Sequence, residues 1–456
     1  MSDSSPDAST AGESGNLFGP RRLNLWIVPG VSNLNVYTLL FGSFFGIAMM
    51  SFVNVSQAFL FEEVLKIPTD EQASLAGQLT AISEVIVISI IGLIGSMSDK
   101  IGRKPLYVAA FVFFAIGYVL YPFARSPEEL LLYRAIFAIG LACNTAMLPS
   151  VANDYPMERS RGKMIAVCFT LNGLGFILIM QPMNFLGQFL MDATGGDALK
   201  VAQYWIWTAA GICLVVSFVL AMGLKSGPPA RVEERDKLLT TLKVGIKEAK
   251  RIRVALAYAA AVVARGDMAV LSAFFVLYMK TAGLESGLDI KDAMANAIKF
   301  YVIIQVFALC WLPVLGFILD RIDRVTGLAF AMVLAGVGYA SLFFLEDPMG
   351  PMIWPVAVLI GMGEMSANLA SLTLIGSEAP LKGRGAVIGL FSLFGAIGIL
   401  GVGLVGGQLG DMFGQSAPFA LVASANGVIL VLSILVLKYG PKQSPATAKT
   451  AEAGIH

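Results

Sequence analysis

The chain is short of charge. Of its 456 residues only 14% are Asp, Glu, Lys or Arg, against 57% hydrophobic, whereas an ordinary soluble domain carries roughly 25% charged residues. A water-exposed surface for a chain of this length needs far more ionised groups, so a soluble multidomain architecture is excluded. Histidine is nearly absent: the one example is His456, which removes imidazole catalysis, haem ligation and histidine proton relays. Cysteine is scarce as well. Cys143, Cys168, Cys213 and Cys310 sit inside apolar runs without paired spacing, a pattern that fits neither a disulfide framework nor a zinc site. No Gly-x4-Gly-Lys-Ser/Thr phosphate loop occurs, so ATP drive has no sequence support. No metal, cofactor or enzymatic activity is expected. With 32 basic and 31 acidic residues the net charge is +1, and no global excess recruits nucleic acid.

What the chain has in abundance is long apolar runs. They fall at about 35–61, 74–98, 105–123, 128–152, 163–191, 201–224, 254–279, 296–319, 325–345, 352–376, 385–408 and 415–438, each long enough for the roughly 20 residues of a bilayer-spanning helix. The fold class is therefore an all-α polytopic membrane protein with twelve transmembrane helices. An even number of spans puts both ends of the bundle on one face, and basic residues mark the cytoplasmic face. On the terminal side lie 24 of the basic residues and on the opposite side six, so both termini are expected in the cytoplasm of a multi-pass plasma (inner) membrane protein. The first 20 residues, rich in Ser, Asp and Gly, read as a disordered tail.

The organisation expected is a cytoplasmic tail at 1–34, a six-helix bundle at 35–224, a linker at 225–253, a second six-helix bundle at 254–438 and a cytoplasmic tail at 439–456. The linker carries nine basic residues and sets Leu238, Leu239, Leu242 and Ile246 on one helical face, which suits a tether along the membrane surface. The halves repeat each other. Gly95-x3-Asp99-Lys100-x2-Arg103 follows the second span, and Gly316-x3-Asp320-Arg321-x2-Arg324 follows the eighth, 221 residues later. Asp154-Tyr-Pro156 with Arg161-Gly162 and Glu378-Ala-Pro380 with Arg384-Gly385 repeat at offsets of 223 and 224. Paired repeats are how many secondary transporters are built.

The run from Gly95 through Asp99, Lys100, Gly102 and Arg103 to Lys104 resembles the loop signature of the major facilitator superfamily, and the resemblance extends over residues 35 to 438. In the second copy Asp323 replaces the second glycine. The resemblance implies two pseudo-symmetric bundles that rock about a central cavity lined by spans one, four, seven and ten. It also implies a latch on the cytoplasmic face built from Gly95, Asp99, Gly102, Arg103 and Asp154, repeated in Asp320, Arg324 and Glu378. Arg103 is expected to reach Asp154, and Arg324 to reach Glu378. Span five keeps Pro182 and some glycines of an antiporter signature without the full pattern, and the sugar-porter signature after span six is missing.

Five ionisable residues lie within spans: Glu84, Arg134, Arg265, Asp267 and Glu364. Each costs about 3 kcal/mol if left unpaired at the bilayer centre. Three acids against two arginines leave one carboxylate uncompensated, and desolvation favours its protonated form. Arg265 and Asp267 are two residues apart and so point to nearly opposite sides of a helix. The expected pairings are Arg265 with Glu364 and Glu84 near Arg134, with Asp267 or Glu364 exchanging the proton and Glu84 as a further candidate. Arg134, Arg265, Asn54, Gln57, Asn144 and Asn368 are the substrate-cavity candidates, and Gln181 and Asn184 are additional polar residues within spans.

The function expected is a secondary active transporter of a small organic solute, coupled to protons and working as a monomer in the bilayer. A passive facilitator of the same fold and a non-transporting receptor or scaffold are the alternatives. Two midplane arginines suit an anion, while the Met and Phe content of the spans suits an amphiphile.

Overall fold

The computed structural model describes residues 16–19, 25–227, 244–380 and 384–440. Twelve long helices account for nearly all of them: α1 (Asn33–Phe59), α2 (Thr69–Ile101), α3 (Arg103–Leu120), α4 (Pro127–Asp154), α5 (Arg161–Ala193), α6 (Ala198–Gly223), α7 (Ile252–Glu285), α8 (Ile290–Leu319), α9 (Arg324–Phe343), α10 (Ile353–Glu378), α11 (Arg384–Phe413) and α12 (Ala417–Tyr439). All twelve are long and apolar enough to cross a membrane. The protein is an all-α multi-pass membrane protein.

Local chemistry sets the helix ends. Ser32 and Asn35 form a reciprocal capping box at α1, Ser126 accepts from the Glu129 amide at α4, and Asp197, Asp289 and Asp323 cap α6, α8 and α9. Each supplies an acceptor to amides that lack an intrahelical partner. Between α2 and α3 the chain turns at Gly102, whose φ of 94° lies where a Cβ is disfavoured. The last turn of α1 widens into a π-helix over Leu60–Val64.

Helices α1 to α6 pack among themselves, as do α7 to α12, and the two sets meet where α2 lies on α11, α5 on α8 and α1 on α7. The face carrying the start of α1 and the end of α12 is here the terminal face; the opposite one is the far face. Near the far face α2 and α11 touch backbone to backbone: a Cβ at Gly77 would overlap the carbonyl of Gly403, and one at Gly407 would lie 2.8 Å from the Ala73 oxygen. Toward the terminal face a Cβ at Gly389 of α11 would have nothing within 4 Å. Hydrogen bonds that join the two sets gather at the far face, at Asp411 with Ala73, Asn184 with Ala295, Lys280 with Glu62 and Lys291 with Asp192.

Part of the tail expected to be unstructured is ordered. Strand β1 (Asn16–Phe18) pairs antiparallel with β2 (Leu25–Ile27), and β2 lies on the turn between α4 and α5. Val28 donates to the Tyr155 carbonyl at 3.0 Å and the Met157 amide to the Trp26 carbonyl at 2.8 Å, while the Arg159 guanidinium stacks 3.9 Å from the Trp26 ring. Backbone pairing offsets the low apolar content that had argued for disorder. Of the linker face, Leu238, Leu239 and Leu242 lie outside the described residues.

Candidate functional site

Ionisable groups gather at three depths. On the terminal face Arg103, the first residue of α3, donates from Nε to Asp154 at 2.9 Å, from Nη1 to Asp99 at 2.7 Å, and to Ser98. Gly102 makes this turn possible, and Gly95 is buried one turn before Ser98. The second copy differs from expectation. Arg324 turns to Asp320 at 3.6 Å and to the Leu319 carbonyl, while Glu378 is taken by Arg251 at 2.8 Å and Arg253 at 3.6 Å. Arg253 also reaches Asp323 at 3.3 Å. The start of α7 brings two guanidinium groups to the end of α10, nearer than Arg324 can come while it closes on its own turn.

At mid-depth the charges lie on different faces from those expected. Arg134 is buried in the first half and donates to Ser83 Oγ and Asn54 Oδ1, both at 2.7 Å, with Tyr121 Oη at 3.5 Å. No carboxylate among the described residues lies within ion-pair distance of it. Its contact on α2 is Ser83 and not Glu84, because successive residues of a helix point about 100° apart. Glu84 instead faces Arg265 across the boundary between the halves, within electrostatic reach. The expected Arg265–Glu364 bond is absent. Arg265 lies along α11, where a Cβ at Gly395 would come 2.6 Å from its Cγ, and this turns it away from α10. The side chain is exposed although α7 is the most buried span, so it opens onto interior space.

Asp267 faces the other way and is fully buried between α7 and α12. Asn426 Nδ2 donates to its two oxygens at 2.9 and 3.2 Å, and Tyr339 donates to its backbone carbonyl at 3.0 Å. Glu364 is 5% exposed and accepts from Gln305 at 3.3 Å. Neither carboxylate has a cationic partner among the described residues. Asn144 donates to Met50 Sδ and Asn368 to Met268 Sδ, each at 3.0 Å. The two contacts are repeat-related, α4 to α1 and α10 to α7. Gln57 is buried, with its Oε1 unpartnered, and Asn184 bridges the halves through the Ala295 carbonyl at 3.2 Å.

The far face holds a cluster that the sequence reading missed. Lys280 of α7 is fully buried and donates to Glu62 in the π-turn of α1 and to Gln72 at the start of α2, each at 2.7 Å. Gln72 also donates to Glu62 at 2.9 Å. Further links between halves lie at the same end: Asp411 accepts from the Ala73 and Ser74 amides at 3.1 Å, and Lys291 pairs with Asp192 at 2.6 Å. By sequence Lys280 directly follows the apolar run 254–279, a position that reads as an outer loop. The available signal was opposite charge at the far ends of two repeat-related helices, with Glu62 ending the first span and Lys280 the seventh.

A family model described as Major Facilitator Superfamily matches residues 39–402. Magnetosome protein MamH of Paramagnetospirillum magneticum is 25% identical over 397 residues, covering 85% of this chain and 89% of that protein. Magnetosome protein MamZ of the same organism is 22% identical, and the alignment covers 86% of this chain but 61% of that longer protein. Among solved structures, the nucleoside transporter NupG superposes with a TM-score of 0.72 at 14% identity, covering 88% of this chain and 98% of that one.

Proposed function

Because the chain belongs to the major facilitator superfamily, a family of membrane transporters, we propose that it is a secondary active transporter that moves a small organic solute by alternating access and is coupled to protons. The observation that carries this reading is the set of three carboxylates at mid-depth, Glu84, Asp267 and Glu364, none within ion-pair distance of a cation among the described residues. An unpaired carboxylate costs about 3 kcal/mol or more in a sealed membrane interior and much less in a hydrated one. Such a group takes up a proton when the cavity closes and releases it when water enters, which is the physical requirement for coupling.

The separate charge clusters support the alternating half of the reading. Lys280, Glu62 and Gln72 hold the far face shut across the halves. The Arg103 and Arg251/Arg253 clusters each lie within one half, so they brace the bundles on the terminal face without locking that side. We assign the terminal face to the cytoplasm from the distribution of basic residues, and the substrate path to the space onto which Arg265 and the half-buried Asn368 open, while Arg134, Asn54 and Asn144 are buried. The division into bundles at 35–224 and 254–438 belongs to the same reading, as does a monomeric working unit.

The test is solute flux into proteoliposomes driven by an imposed pH gradient. Collapsing the gradient is expected to abolish accumulation, and at least one of Glu84→Gln, Asp267→Asn and Glu364→Gln is expected to abolish the response to the gradient while leaving exchange intact. Full gradient-driven accumulation in all three variants would defeat the proposal.

A further inference from the structure

Among the described residues Arg265 is the one mid-depth charged side chain that is exposed and makes no hydrogen bond or ion pair. The other arginine at that level, Arg134, is buried and spends its donors on Ser83, Asn54 and Tyr121. A guanidinium keeps its charge under all conditions and presents a planar fork that fits a carboxylate or phosphate with two parallel bonds. Its stem lies along α11 where residue 395 is glycine, and its charge is within electrostatic reach of Glu84 on α2. Opposite it stands Glu84, half-buried and without a hydrogen-bond partner among the described residues.

The remaining charges at that depth are Arg134 on α4, Asp267 on the opposite side of α7, and Glu364 on α10. Helices α1, α5, α8, α11 and α12 contribute no Asp, Glu, Lys, Arg or His there, and the titratable Cys168 of α5 and Tyr301 of α8 are buried. The Arg265 charge therefore has two possible neutralising partners: the Glu84 carboxylate, or an anion brought in from the cavity. Both cannot be negative beside one guanidinium without leaving a net charge at mid-membrane.

We propose that Arg265 binds the anionic group of the transported solute, and that the anion displaces Glu84, which takes a proton from the cavity water as it loses its partner. This rests on the transporter reading above and narrows it to a carboxylate or phosphate solute. The proton goes onto a Glu84 carboxyl oxygen and no other bond is made or broken. The empty site carries Arg265 with ionised Glu84, and the loaded site carries Arg265, the anion and neutral Glu84. Each state is neutral at the site, so either can cross between the two open forms without moving bare charge through the membrane. For a monovalent anion the cycle is electroneutral symport of one solute with one proton. Asp267 and Glu364 accept from Asn426 and Gln305 and take no part in this exchange.

The experiment is calorimetric titration of the purified full chain with gluconate, citrate and inorganic phosphate, and with choline as a cationic control and glucose as a neutral one. Each titration is run in two buffers of different ionisation enthalpy to count protons. At least one anion is expected to bind with uptake of a single proton, its Kd rising toward tenfold per pH unit across the range in which Glu84 ionises. Glu84→Gln is expected to bind that anion with no proton uptake and a flat pH profile. Arg265→Gln is expected to lose binding, and Arg265→Lys to keep a weakened, still pH-dependent form of it. Failure of all three anions to bind, binding without proton uptake in the unaltered protein, or an unchanged pH profile in Glu84→Gln would each overturn the proposal. If choline or glucose instead shows flux driven by a pH gradient, the transporter reading stands and the anion site falls. If an anion binds with its proton but shows no flux in proteoliposomes, the reverse holds.

Discussion

At the scale of single residues, buried polar groups in this protein are satisfied by neutral partners more often than by opposite charge. Asp267 is the clearest case, a fully buried carboxylate whose two oxygens accept from one amide, Asn426 Nδ2. Removing that donor leaves a buried acceptor unsatisfied, which costs about 1–3 kcal/mol. Asn426→Ala is therefore expected to lower the midpoint of thermal unfolding followed by tryptophan fluorescence, and by more than Asp267→Asn does; equal midpoints for Asn426→Ala and the unaltered protein would contradict this. Which residues are ionisable and at what depth was legible in the sequence. Their partners were not. Helical phase correctly separated Arg265 from Asp267, but the direction of each depends on which neighbouring helix offers room. Gly395 draws Arg265 toward α11 and away from Glu364, and nothing in the spacing along α7 encodes that.

At the scale of elements, the contact between α2 and α11 is what closes the far face. Gly77 and Gly403 let the two backbones touch, and no larger side chain fits at residue 77 without pushing the helices apart. Overpacking of this kind costs about 1–3 kcal/mol, roughly a 5- to 150-fold shift in a two-state equilibrium. Gly77→Val is expected to raise, within that range, the rate at which a membrane-impermeant maleimide labels Ser74→Cys, a position half-buried under Asp411. Cys310, the exposed native cysteine among the four, is replaced by Ser for that measurement, and an unchanged rate would show that the contact does not control closure. The apolar runs located all twelve helices, because bilayer thickness sets their length and leaves few alternatives. The β1–β2 hairpin was invisible for the opposite reason. Its strands have three residues each and are stabilised by the Tyr155–Met157 turn on which they lie, a partner some 130 residues away in sequence.

At the scale of the whole molecule, Lys280, Glu62, Gln72 and Asp411 join the halves at the far end, and in the proposed transport cycle this is the state sealed at that end. Removing one partner of a buried ion pair costs about 3–5 kcal/mol, and because Glu62 is 27% exposed the low end of that range applies. Glu62→Gln is therefore expected to favour the opposite state. Spin labels at Met97 and Ser392, exposed positions in the terminal halves of α2 and α11, are then expected to move closer in double electron–electron resonance, whereas an unchanged distance distribution would exclude Lys280–Glu62 as the lock. The sequence by itself determined membrane insertion, the number of spans, the internal repeat and the family, since each follows from composition, length or spacing along the chain. Only the tertiary structure decided that Arg265 confronts Glu84, that Glu378 belongs to Arg251 and Arg253, and that Lys280 is buried against Glu62 and Gln72 and is not a loop residue. The physical reason is common to the three. Each pairing joins helices far apart in sequence, and its geometry is set by how closely backbones approach at small residues and by which side of each helix turns inward, quantities that exist only once the helices have packed.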